Sequence, residues 1–263
     1  MGTPGEEKRL KAEITEISYS TALTFELVTR FGFLTLGAPT FPSLRKEAIY
    51  KPGGDNPSVP LFLQYKLGDH IIGSASSLRG YWGVPYYRFL IHPRKKIKRQ
   101  ELLVRLENHG HLVYYLAPEF HTMGELFDAL MKTEVLAHST FWPPRAFGRF
   151  AEVERYTLAY KRGRPDGVLQ PGNIRIEGSL KGEHLLTAIK GQFDAGKAET
   201  YDEGRLRRLG DRMLKTYLEV FPDPKGRRLA EDIRTGRDRI DARDYLSLIS
   251  ILLYDCYVYF VRR

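Results

Sequence analysis

Cysteine is almost missing from this chain. Cys256 stands alone, so no internal disulfide can form and the expected compartment is a reducing cytoplasm. No group of Cys and His has the spacing of a zinc site. His109, His111, His121 and His138 are scattered over strand ends and turns and read as structural. The opening residues, Met1 to Lys11, are polar and charged and lack the apolar stretch of a secretory leader. Long apolar runs are equally scarce. The strongest, Tyr245 to Val261, is broken by Ser247, Ser250 and Asp255. A membrane span usually needs about 20 residues with few charges, so this run reads as a buried C-terminal helix and no membrane contact is expected. There is no sequence repeat and no low-complexity tract.

What the chain does have is enough length, 263 residues, for one large domain or for a core with a helical appendage. An apolar fraction of 42% with 28% charged residues is that of a globular rather than a disordered protein. Lys and Arg number 41 against 32 Asp and Glu, a formal charge of +9. That excess favours a polyanionic partner, with nucleic acid ahead of a membrane surface. Charge alone does not decide it, because many basic proteins bind no nucleic acid.

The most informative stretch is Pro60-Leu61-Phe62-Leu63-Gln64-Tyr65-Lys66, with Gly53-Gly54-Asp55 upstream. Three large apolar residues followed by polar ones read as a buried strand, about Val59 to Leu67, that surfaces at its C-terminal end. Strand side chains alternate, so Gln64 and Lys66 share one face while Tyr65 takes the other. The intervening Gly and Pro allow a turn that returns Asp55 to the same margin. A carboxylate, an amide oxygen and an ammonium can thereby gather at one sheet edge. Each also has a plainer reading. Asp after Gly-Gly is ordinary turn chemistry, and a lysine at a strand end commonly snorkels to solvent.

Around this stretch the pattern reads as follows. Ile17 to Gly32 is a helix, with Ser18 or Ser20 as its cap. Glu26 lies mid-helix and, taken alone, is a solvated residue. Glu47 to Tyr50 is a short strand. Gly68 to Pro85 is a long Gly- and Ser-rich binding loop carrying Arg79. Tyr86 to Ile91 is a strand that includes Arg88. The basic run Arg94 to Arg99, with Lys95, Lys96 and Lys98, leads into a helix from Gln100 to Asn108. Cations there oppose the helix dipole unless a phosphate is held, although a solvated charge run is commoner. His111 to Ala117 is a strand, Gly124 to Lys132 a helix, and Val135 to Trp142 a strand. Beyond about Arg149 the pattern changes. Glu152 to Lys161 reads as an edge strand and Arg162 to Asn173 as a connector. Leu185 to Phe193, Glu203 to Phe221 and Asp241 to Phe260 read as helices. The middle one bears Arg205, Arg207, Arg208, Arg212 and Lys215, a basic face able to lie along a nucleic-acid backbone. Two parts are thus expected, a core over 1–149 and a mainly helical region over 150–263.

Thr24-Phe25-Glu26-Leu27-Val28, Gly54-Asp55 and Leu61-Phe62-Leu63-Gln64-Tyr65-Lys66 together resemble the PD-(D/E)xK nuclease superfamily. The likeness is nearest to its Mrr-like restriction branch, where Gln replaces the Glu of the motif. It covers roughly residues 15–145. It implies an α/β fold, a restriction-endonuclease-like αβββαβ core with a mixed sheet, and a helical C-terminal region outside the resemblance. It also implies a metal-dependent endonuclease of a microbial defence or restriction type, acting on DNA with Mg²⁺ or Mn²⁺. In that role Asp55, Gln64, the Tyr65 carbonyl and Glu26 hold the cation, and Lys66 orients water or steadies the oxyanion. Glu47 is a reserve acid should Asp55 prove only a turn residue. Arg79, Arg88, Lys95, Lys96 and Lys98 contact the nucleic acid. RNA is an alternative substrate for the same residues, and the C-terminal helices would dimerise the protein, bind DNA or engage a larger complex. A non-catalytic nucleic-acid-binding subunit on the same fold is the competing expectation, favoured by the loss of one acidic ligand and opposed by Lys66.

Overall fold

The chain folds as a mixed α/β protein with two sheets. The computed structural model describes residues 8–31, 34–36, 57–73, 78–92, 98–148, 150 and 155–262. In chain order its first half comprises β1 (Arg9–Leu10), α1 (Glu16–Phe31), β2 (Leu34–Leu36), β3 (Ser58–Tyr65), β4 (Asp69–Ile71), α2 (Arg79–Trp82), β5 (Tyr86–His92), α3 (Lys98–Asn108), β6 (Leu112–Pro118), α4 (Met123–Met131) and β7 (Ser139–Trp142). There follow β8 (Tyr156–Tyr160), β9 (Gly167–Gln170), β10 (Ile174–Ile176), β11 (Leu180–Lys181), α5 (Gly182–Asp194), α6 (Glu203–Val220), α7 (Pro224–Thr235), α8 (Ala242–Ile249) and β12 (Tyr257–Arg262). Among the described residues no helix is long and apolar enough to cross a membrane. The chain forms two compact units, each assembled from three separate stretches.

The first unit takes Met1–Glu26, Tyr65–Lys95 and Tyr115–Leu185. One of its sheets runs β1-β4-β5-β8-β9-β10, antiparallel at every step. Strand β8 is therefore interior rather than the expected edge. Leu158, Ala159 and Tyr160 are buried on it, so it needs a neighbour on both sides. That neighbour is β9, which lies inside the segment read as a connector and buries Val168 and Leu169. The expected strand from Val135 begins only at Ser139. Residues 135–138 turn, because the Ser139 hydroxyl and the His138 amide donate back to the Val135 and Glu134 carbonyls at 2.6 and 2.9 Å. Two buried phenols tie the sheet to the chain leaving β6. Tyr87 donates to the Glu119 carbonyl at 2.9 Å and Tyr160 to that of Pro118 at 2.6 Å. Burial pushes the Tyr87 hydroxyl up to about 12. Thr122 and Glu125 form a reciprocal cap on α4, and Thr15, not Ser18 or Ser20, accepts the Ser18 amide at the start of α1.

The second unit takes Leu27–Gln64, Lys96–Tyr114 and Leu186–Arg263. Here β12 lies between β3 and β2, antiparallel to both, with Tyr259 opposite Leu61 and Thr35. The expected helix from Asp241 to Phe260 is therefore corrected. Helix α8 stops at Ile249, a π turn spans Ser250–Tyr254, and Asp255 adopts the left-handed conformation at φ 57° before β12 begins. The physical reason is local. Tyr-Val-Tyr-Phe-Val is β-branched and aromatic at every position, which suits a pleated surface between two strands, while an Asp can occupy the left-handed turn that ends the helix. A helix absent from the sequence reading, α7, follows Asp223, whose carboxylate accepts from the Lys225 and Gly226 amides at 3.0 Å. Pro224 then occupies the first helical position, where a missing N–H costs nothing.

Helices α6 and α8 approach closely at Gly210, where an added Cβ would sit 2.8 Å from the Tyr245 ring and 3.2 Å from Ile249. Gly191, exposed on α5, has nothing within 4 Å. The two glycines should respond oppositely to alanine. Gly191→Ala is expected to raise stability by about 0.5–1 kcal/mol through helix propensity, and Gly210→Ala to lower it by about 1–3 kcal/mol through overpacking. Urea unfolding of both variants checks this; stabilisation by Gly210→Ala would contradict the close approach.

Candidate functional site

Strand β3 is buried along its whole length, and its last residue in the second unit, Gln64, is 2% exposed. The Gln64 Nε2 donates to Asp255 Oδ2 at 2.9 Å. Asp255 also receives the Arg99 guanidinium at 3.4 Å, and Arg99 reaches the Leu252 carbonyl at 3.4 Å. A carboxylate only accepts hydrogen bonds, so it captures the nitrogen of the amide and turns the oxygen the other way. Gln64 Oε1 is buried, and no hydrogen bond reaches it among the described residues. Such an atom forfeits its solvation, a cost of about 1–3 kcal/mol unless a cation or a water meets it. Asp255 was not legible as a partner. It lies 191 residues from Gln64, and in the sequence it only interrupts an apolar run.

The other expected residues fall as follows. Tyr65 is buried with its ring edge-on to Tyr19, centroids 5.5 Å apart. Lys66 extends the strand by one step, its amide donating to the Leu116 carbonyl at 2.8 Å. Its side chain is half-buried, with Nζ 5.8 Å from the centre of the Tyr115 ring, close enough for a cation–π attraction. Glu26 is fully buried in the first unit, where its Oε2 accepts the Leu136 amide at 2.9 Å. It is not the solvated helix residue that it reads as when taken alone. Asp55, Glu47, Lys95 and Lys96 lie outside the described residues. Among the described residues no three His, Cys, Asp or Glu side chains are grouped so as to hold a metal ion.

Of the expected nucleic-acid contacts, Arg79 opens α2 and is exposed, as is Lys98 at the start of α3. Arg88 is half-buried on β5, opposite Asp69 of β4. With Arg9, Asp69 and Arg155 it lines an open depression of about 280 Å³, in which Arg9 pairs with Asp69 at 3.4 Å. On α6 the basic face is divided. Arg205 donates to the Thr200 carbonyl at 3.0 Å, and Arg207 to Glu203 at 2.9 Å and to the Ile240 carbonyl at 3.0 Å. Those two arginines are engaged within the protein itself.

The histidines have defined surroundings. His121 Nδ1 is 3.2 Å from Glu125, and His138 accepts from Arg162 at 3.2 Å. His111 packs edge-on against Phe62 at 5.5 Å. Burial first, then the charges of Arg212 and His109, press its imidazole down to about 4. The chain matches no protein-family model, no curated protein and no solved structure.

Two outcomes follow from this geometry. Asp255→Asn offers Gln64 an amide oxygen and tolerates the left-handed backbone, so it should remain within about 1 kcal/mol of wild type. Asp255→Ala strands the buried amide and should lose about 2–3 kcal/mol; equal stabilities in urea would contradict the bond. For His111, the folded imidazole resists a proton that the unfolded chain takes up near 6.5. Both states are neutral above that pH, and stability falls as the pH drops from about 6.5 towards 4. Wild type should therefore lose about 2–3 kcal/mol more than His111→Phe over that interval, measured by denaturant unfolding at each pH.

Proposed function

We propose that the chain is a metal-dependent nuclease of the restriction type, hydrolysing DNA phosphodiesters at the C-terminal end of β3. The observation that carries the reading is the Gln64 side chain, whose Oε1 is buried and free of hydrogen bonds among the described residues, held in that orientation by Asp255. A neutral, hard oxygen presented in this way suits an alkaline-earth cation.

Gln64 would hold the cation together with Asp55, the acid that the motif supplies in the same unit. A bound Mg²⁺ or Mn²⁺ would offset charge developing on the phosphate oxygens and acidify its own water. Lys66, two positions beyond Gln64 in the chain, brings an ammonium that is partly withdrawn from solvent. In that setting a cation stabilises a developing oxyanion more strongly than it would in water. With an amide in place of a carboxylate the ligand set has one charge fewer, so metal affinity is weaker than at a fully acidic site. A second reading, a binding subunit without chemistry, is favoured by one observation: the Gln64, Asp255 and Arg99 side chains already satisfy one another's charges and donors.

Plasmid and structured RNA incubated with the protein in Mg²⁺, Mn²⁺ or EDTA separate the readings. The expected result is nicking of DNA only with metal, reduced about 100-fold or more in Lys66→Ala and in Asp55→Ala, with unchanged thermal melts. Cleavage of RNA in preference to DNA would change the substrate. DNA retained on a gel but never cut with either metal would replace the nuclease by the binding subunit.

A further inference from the structure

A groove of about 540 Å³ runs between α3 and α6 in the second unit. Its floor is closed and apolar, since Leu106, Leu209, Met213 and Tyr254 are each no more than 4% exposed. Leu209, Arg212, Met213 and Thr216 recur at the spacing of one helix face, so α6 supplies both floor and rim. The rim is cationic. Arg105 is fixed there by Glu101, at 2.7 and 3.0 Å, and by Glu219 at 2.8 Å. Its charge is thereby answered, and it forms a firm wall. Arg212 and Lys215, by contrast, are exposed, and neither meets a carboxylate among the described residues. Elsewhere in this unit Arg207 pairs with Glu203 and Arg237 with Asp211. Asn108 and His109 add polar groups along the same groove. His111 on its inner wall is depressed partly by the Arg212 charge, so that field extends over the groove.

We propose that this groove binds the phosphodiester backbone of a nucleic-acid strand, with Arg212 and Lys215 each taking one phosphate. Residues three apart on a helix lie about 5–6 Å from one another at Cβ, and their long side chains can reach successive phosphates. Leu106, Leu209 and Met213 on the floor carry no hydrogen-bonding group that could read a base edge, so recognition rests on the backbone and is independent of sequence. The inference rests on the nucleic-acid part of the function proposed above and not on cleavage, for the groove includes none of the residues assigned to chemistry.

The test is fluorescence anisotropy with a labelled single strand of about 20 nucleotides and the matching duplex, in EDTA so that cleavage is off. Arg212→Ala/Lys215→Ala should weaken binding about 10- to 100-fold and flatten the salt dependence by about 1.4–1.8, the share of two lost phosphate contacts. Arg227→Ala/Arg228→Ala, which removes the same charge from exposed α7 positions, should stay close to wild type. Binding is read without metal and without turnover, so a failed nuclease assay leaves this result legible. Unchanged affinity in the α6 pair, or an equal loss in the α7 pair, would overturn the groove. Displacement by dAMP at concentrations that match the oligonucleotide would make it a small-phosphate pocket instead. Equal displacement by polyglutamate would make it an acidic-protein surface.

Discussion

The second unit depends on one ladder, the pairing of β12 with β3 on one side and β2 on the other. Val258, Tyr259, Phe260 and Val261 are wholly buried, and each such side chain contributes about 1.5–3 kcal/mol of burial. The ladder also fixes what precedes it. Asp255 must turn through the left-handed region to bring the chain from the π turn into register, and that turn aims its carboxylate at the Gln64 amide. Polar orientation at the end of β3 is thus a by-product of how the last strand enters the sheet. A buried amide whose nitrogen is taken and whose oxygen is left over has been oriented by something far away in sequence.

Much of the scaffold was legible because local signals agreed. The apolar approach to Gln64, the apolar and aromatic run into Pro118 and the long basic amphipathic pattern after Asp202 appear as β3, β6 and α6. The failures share a cause. Tyr245 to Val261 is a run of large apolar residues in which helical and strand periodicities cannot be separated over so few positions, and only partners far upstream decide between them. Strand β8 looked like an edge because its neighbour β9 lay among turn residues. Helix α7 did carry a readable signal in Asp223-Pro224, an N-cap followed by proline. At the candidate site, Gln64 and Lys66 could be singled out from sequence, whereas Asp255 could not, and the burial of Glu26 contradicts what a lone helical glutamate suggests. Hydrogen bonds between residues more than a hundred positions apart leave no periodic trace.

The arginines illustrate how composition misleads. A helix such as α6 presents five cations in sequence, and a charge count treats them alike. In the structure Arg205 and Arg207 hold backbone carbonyls and neighbouring acids, so their charge is spent on holding the second unit together. What remains available to a partner is smaller and more local than the formal +9 suggests. Arg105 sits between two glutamates on a rim where Arg212 meets no carboxylate among the described residues, so the same residue type serves as strut and as open charge within one groove.

The interior position of β12 also has a temporal consequence. A ribosome that has just produced β3 must add nearly two hundred residues before the strand that pairs with it emerges. At about 5–20 residues per second that is roughly 10–40 s. During that interval β3 and β2 offer bare edges, the kind of surface that recruits stray strands from other chains. The sheet of the second unit is therefore completed only when β12 has been made and can pair with β3 and β2.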